Sequence, residues 1–132
     1  MISVRVTEPR TPAEQRRASV AAANAAMLKG DAGGALRHFA EMLRPDPNDL
    51  EAQYGSAQAY LDLRRYREAA SMFEAVLPRL PKGERTTAYD DAAFAHLALG
   101  QDARAEAILV NRYGPDAAKR RLASLLENLR KR

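Results

Sequence analysis

The chain has 132 residues, is 46% hydrophobic and 29% charged, and has a formal net charge of +4. A chain of this length and composition forms one globular domain with a continuous core, rather than a disordered segment. The absence of cysteine excludes disulfides, thiolate metal sites and cysteine nucleophiles.

The first predicted helix begins in the sequence TPAE. Thr11 is placed to cap the helix, Pro12 falls at its first position and Glu14 at its third, which is the pattern of a capping box. Residues 1–10 are therefore predicted to be an extended arm, and residues 11–132 the folded domain. No stretch has the apolar core of a signal peptide or the length of a membrane span.

This helix opens the first of two helix pairs. Each pair consists of a helix, a short break and a second helix. Residues 33–47 and 67–81 share an alanine, a phenylalanine, a leucine and a proline, and the matching residues are 34 positions apart. These pairs are Ala35/Ala69, Phe39/Phe73, Leu43/Leu77 and Pro47/Pro81. The apolar residues recur with helical spacing, and proline ends each unit. A two-helix unit cannot bury its apolar face alone, so stacked repeats are expected.

A third, weaker copy is predicted after a short insertion. Gly100 and Ala105 correspond to Gly30 and Ala35, and Leu109 takes the place of the phenylalanine. The repeats are predicted at about 11–47, 48–83 and 84–114. A last helix, about 115–130, has one leucine-rich face and is expected to cap the stack. Arg112 falls on the buried side of the third copy, which is unusual for a cation.

These residues resemble the tetratricopeptide repeat (TPR), a 34-residue helix pair with a small residue, an aromatic residue and a proline at fixed positions. Tyr60 and Tyr66 also match aromatic positions of the motif, whereas its tryptophan is absent. The resemblance implies an all-α, right-handed α-solenoid of three helix pairs plus a C-terminal capping helix. It also implies a non-enzymatic protein-protein interaction module, used as an adaptor, chaperone or assembly factor.

The same resemblance predicts a partner-binding groove formed by the first helix of each pair. It combines apolar side chains with amides able to hydrogen-bond a peptide backbone. Its predicted residues are Arg17, Val20, Asn24, Glu51, Tyr54, Gln58, Leu61, Asp90, Phe94 and Leu97. The alternative is that some of the apolar residues pack against the next repeat.

One use of such grooves, the clamp that binds acidic chaperone C-termini, does not fit. Asn24 matches its pattern, but the other positions hold Val20, Gly55, Thr87 and Asp91 instead of the required cations and amide. Without cations, a bound carboxylate would lose its hydration without compensation.

No catalytic, cofactor or metal site is predicted. His38 and His96 are the only histidines, and neither has a serine or carboxylate pair nearby in the pattern of a base and nucleophile. The glycines of GDAGG neither follow a strand nor precede a phosphate-binding lysine. An enzyme is therefore not expected, and no cofactor is implied.

Three alternatives stay open at this point. Residues 113–132 carry six Lys and Arg against Asp116 and Glu127, so the last helix suits nucleic acid or an anionic surface, although aromatic residues for base stacking are missing. Residues 86–132 are similar in layout to the end of bacterial TPR proteins of tight-adherence (Flp) pilus assembly, which would imply a pilus or secretion-system role. The leucine face of the last helix could pair two chains, so a monomer or a weak homodimer is expected.

The cellular location depends on where the native chain begins. If Met1 is the native start, a cytoplasmic location follows; a trimmed chain leaves a periplasmic location open.

Overall fold

The computed structural model describes residues 9–81 and 87–132, which form helices and no strands. The helices occur as three antiparallel pairs and one final helix. Their bounds are α1 Pro12–Leu28, α2 Ala32–Leu43, α3 Leu50–Asp62, α4 Tyr66–Val76, α5 Thr87–Ala98, α6 Asp102–Tyr113 and α7 Pro115–Arg130, with a short 3₁₀ turn at Leu77–Arg79. The predicted all-α solenoid is confirmed. Most of the predicted arm and of the linker before α5 lies outside the described residues.

The start of α1 has the predicted capping box. The Glu14 backbone N–H donates to Thr11 Oγ1 at 3.1 Å, and the Thr11 N–H donates to Glu14 Oε1 at 3.0 Å. Pro12 occupies the first turn, where its missing N–H has no cost. These hydrogen bonds satisfy backbone donors that the helix itself leaves unpaired.

The repeated residues occupy equivalent core positions in the three pairs. Ala35, Ala69 and Ala105 are fully buried, and the small side chains let paired helices approach closely. Phe39, Phe73 and Leu109 are also buried, each in the second helix of its pair. The interior is therefore a row of clusters shared between neighbouring helices.

The last helix closes this row. Ala118 of α7 is fully buried, and α7 packs against both α5 and α6. Its leucine face lies on the third pair's core: Leu122, Leu125, Leu126 and Leu129 are partly buried there. The face that could have paired two chains is therefore used within the chain.

Arg112, expected on the buried side, is accommodated by aromatic rings. Its guanidinium lies 5.7 Å from the centroid of the Tyr89 ring and 5.4 Å from that of Tyr113. A guanidinium over an aromatic face keeps a favourable electrostatic contact when it is partly removed from water. The side chain thus stays half-buried with no carboxylate partner among the described residues.

Candidate functional site

The first two repeats form a concave cavity of about 310 Å³. Four of the predicted groove residues line it: Asn24 from α1, and Glu51, Tyr54 and Gln58 from α3. Asn24 is exposed and Gln58 is half-buried, so both amides face accessible space. An amide both donates and accepts hydrogen bonds, and two amides across a cleft can engage a peptide backbone.

The floor of this cavity depends on Gly55, whose role sequence reasoning missed. A Cβ atom at residue 55 would overlap the ring of Phe39, which also lines the cavity. The glycine lets the α2 ring pack directly against the α3 backbone. Glycine inside a helix lowers stability by about 1 kcal/mol relative to alanine. A glycine within the predicted helix was therefore the sequence feature that could have indicated a close contact at this position.

The large apolar groove residues lie deeper than expected. Tyr54, Leu61, Phe94 and Leu97 are all buried, so they do not form an exposed apolar strip. Tyr54 packs with Leu80 and Ala88, and its ring meets that of Phe73 edge-on at 6.4 Å. All four belong to core clusters that they share with residues of neighbouring helices.

An ion pair joins α1 to the residue that caps α3. Arg16 Nε donates to Asp49 Oδ2 at 2.7 Å, and Arg16 Nη2 donates to Asp49 Oδ1 at 3.0 Å. Asp49 also caps α3 by accepting from the Ala52 N–H at 3.2 Å. The Arg16 hydrogen bonds lower the pKa of Asp49, which is otherwise raised by burial. Arg16 also contacts Glu51 at 3.3 Å, so it orients one cavity-lining carboxylate.

The third repeat contributes two adjacent carboxylates with different surroundings. Asp90, a predicted groove residue, accepts from Arg121 of α7 at 2.8 Å, and that guanidinium lies 3.8 Å from the centre of the Tyr113 ring. Asp91 is half-buried and has no ion pair within the described parts of the chain. Burial raises the pKa of Asp91 to about 6, with smaller contributions from Asp90 and Asp62.

The remaining predicted groove residues, Arg17 and Val20, lie on α1; Arg17 is exposed and Val20 half-buried. Val20 packs against the core cluster of the first pair. These two residues are not among those lining the cavity.

One of the two histidines, His96, lies in a network of polar side chains. His96 is buried, with Nδ1 2.7 Å from Gln101 Oε1 and Nε2 3.3 Å from Glu74 Oε1. Arg104 also reaches Glu74, at 3.2 Å, so the network ties α4 to α5 and α6. Within residues 9–81 and 87–132 there is no group of three His, Asp or Glu side chains able to hold a metal ion.

The cations of the last helix are only partly available. Arg121 pairs with Asp90, and Arg130 contacts Glu127 at 3.7 Å. Lys119, Arg120 and Lys131 are exposed. In the part of the chain that the structure describes, no helix has the length and hydropathy needed to cross a membrane.

Comparisons with known proteins agree with this architecture. A family model described as tetratricopeptide repeat matches residues 26–89. A solved structure, the TPR2B domain of yeast Sti1 in its pHsp70 complex, superposes with a TM-score of 0.69 at 22% identity, covering 89% of this chain and 98% of that one. A search of curated protein sequences gives no match. The helix pairs described above therefore resemble tetratricopeptide repeats in register and architecture, and the family match itself spans residues 26–89, just under half of the chain.

Proposed function

We propose that this chain is a non-enzymatic module that binds an extended segment of a partner protein in the concave groove. The main support is the cavity of about 310 Å³, which is lined by the amides Asn24 and Gln58 together with the apolar side chains Met27 and Phe39. The likeness to a TPR domain whose structure is a complex with pHsp70 supports binding of protein segments by this fold. Adaptor, chaperone and assembly roles all use such binding.

The amides provide a sharper test than the aromatic residues. Tyr54 and Phe94 are buried, so their replacement by alanine would disturb folding and binding together. In Asn24→Ala/Gln58→Ala the core stays intact while the backbone-binding groups are lost. Asn111→Ala/Asn128→Ala removes two exposed amides of α6 and α7 that are not among the cavity-lining residues and serves as the matched control.

We expect wild type and the control to capture the same proteins from the source cells in quantitative cross-linking, and the Asn24/Gln58 variant to lose them. Circular dichroism should show equal helicity for all three. Equal capture by both variants would show that this groove is not the binding site.

Two narrower roles have less support. Nucleic-acid binding through α7 would use Lys119, Arg120 and Lys131, since the other cations of this helix contact acidic or aromatic groups. Such binding would weaken steeply with salt, which a gel-shift titration measures. The likeness to pilus assembly proteins stays a prediction, as do oligomeric state and cellular location.

A further inference from the structure

An arginine of the chain itself, Arg132, lies over Phe94, a predicted groove residue of the third pair. The Arg132 guanidinium is 4.7 Å from the centre of the Phe94 ring, and its Nη1 is 3.4 Å from the Tyr66 hydroxyl. The two rings meet edge-on, with centroids 6.1 Å apart. The Phe94 face and the Tyr66 hydroxyl thus provide a cation–π surface and a hydrogen-bond acceptor, which together suit a guanidinium.

The charges around this position favour a cation as well. Asp91 lies one helical turn before Phe94 on α5. The Asp62 carboxylate at the end of α3 contributes to the raised pKa of Asp91. Neither carboxylate has an ion pair within the described residues. Asp90 is neutralised by Arg121, and Arg17 lies on α1, at the other end of the row of helices. Asp62 and Asp91 are therefore the two carboxylates of this region with which a bound cation could pair.

We propose that the groove binds a partner segment bearing an arginine, whose guanidinium lies on Phe94 and Tyr66 beside Asp62 and Asp91. In the free chain Arg132 occupies this position and competes with the partner. The proposal rests on the groove being the binding site, as proposed above, and adds the chemistry of the occupant. An acidic segment would instead meet Asp91 where the chaperone clamp has a cation.

Fluorescence anisotropy with a labelled tetra-arginine amide at low salt tests this assignment. In Arg132→Ala the competing guanidinium is absent, so the probe should bind about two- to fivefold more tightly than to wild type. In that background, Phe94→Leu keeps an apolar side chain but removes the ring, and should weaken binding about two- to fivefold.

The carboxylates are tested by Asp62→Asn/Asp91→Asn, which should weaken probe binding about five- to tenfold. The control, Asp102→Asn/Glu106→Gln, removes the same charge from the exposed surface of α6 and should change the affinity less than twofold. A labelled tetra-glutamate should bind none of these proteins.

Equal affinities for wild type and Arg132→Ala, or equal losses in the control and the Asp62/Asp91 variant, would overturn the proposal. Groove binding itself is judged separately by the capture experiment with Asn24→Ala/Gln58→Ala. If that variant loses its partners while the arginine probe behaves alike in all proteins, only the inferred occupant is wrong.

Discussion

The turn inside each helix pair requires a left-handed residue, and one repeat lacks the glycine that suits it. Gly30 and Gly100 have φ angles of 79° and 76°, whereas Arg64 takes the same place in the second pair with φ of 60°. The turn is kept by backbone hydrogen bonds, from Arg64 N–H to Leu61 C=O at 3.0 Å and from Arg65 N–H to Tyr60 C=O at 2.9 Å. A side chain in this conformation costs roughly 1–2 kcal/mol.

Replacing Arg64 by glycine should therefore stabilise the chain. The relief of strain is partly offset by the greater freedom of glycine in the unfolded state, which leaves a gain of about 0.5–1 kcal/mol in the free energy of unfolding. Urea denaturation measures it. The reverse change, Gly100→Ala, meets open space but the same φ, and should destabilise by about 1 kcal/mol. A lower midpoint for Arg64→Gly than for wild type would contradict this explanation.

Among the elements, α7 has the clearest double role. Its leucine face covers the third pair, and the turn after it places Arg132 over Phe94. Without α7, the apolar surfaces of Phe94, Leu97 and Leu109 would meet water. An element that covers both the core and the end of the groove links stability to binding.

Deleting residues 116–132 should therefore expose this core. Removing a packed leucine typically costs about 2–5 kcal/mol, and α7 contributes several that are partly buried, against a total stability of about 5–15 kcal/mol. We expect the melting temperature to fall by about 10 °C or more in scanning calorimetry, with aggregation on heating.

The charge-only variant Arg130→Gln/Lys131→Gln is the control, because exposed charges contribute little to stability. It should melt close to wild type. A truncated chain that melted like the intact one would show that α7 is a detachable arm.

At the scale of the whole molecule, stacking of the repeats buries a carboxylate whose negative charge destabilises the folded chain. Asp91 is half-buried on α5, and the Asp90 and Asp62 carboxylates add to the effect of burial. Because its folded-state pKa is raised, the folded chain binds a proton more readily than the unfolded chain. Asp49 acts oppositely: its lowered pKa means that its pairing with Arg16 stabilises the fold above the ordinary carboxyl range and is lost as the pH falls.

Asp91→Asn should accordingly raise the free energy of unfolding at pH 7.5, by up to about 3 kcal/mol. In wild type the penalty disappears as the pH falls from about 6 towards the ordinary value of 3.8, so the two proteins should converge below pH 4. Denaturation at a series of pH values measures this, with the exposed Asp102→Asn as control. A difference independent of pH would show that Asp91 acts through packing and not through charge.

Much of the fold could be predicted from the sequence because helix boundaries and repeat register are local properties. The spacing of Ala35, Phe39 and their counterparts placed the buried faces, and TPAE placed the first helix start. The expected last helix at about 115–130 agrees with Pro115–Arg130. Three positions that the family resemblance assigned to the groove, Asn24, Glu51 and Gln58, line one cavity, and its use in binding stays a prediction.

What only the tertiary structure decided is which of those side chains are accessible, and which charges meet. Tyr54 and Phe94 have the register of exposed groove residues, but the stacked pairs bury them. Arg132 is 38 positions from Phe94 along the chain, and only the packing of α7 brings them together. A helical period fixes the direction of a side chain around its own axis, whereas burial and charge pairing depend on the angle and distance between helices. Those are set by the fit of many side chains at once, and for that reason the raised pKa of Asp91 and the arginine over Phe94 had no signature in the sequence.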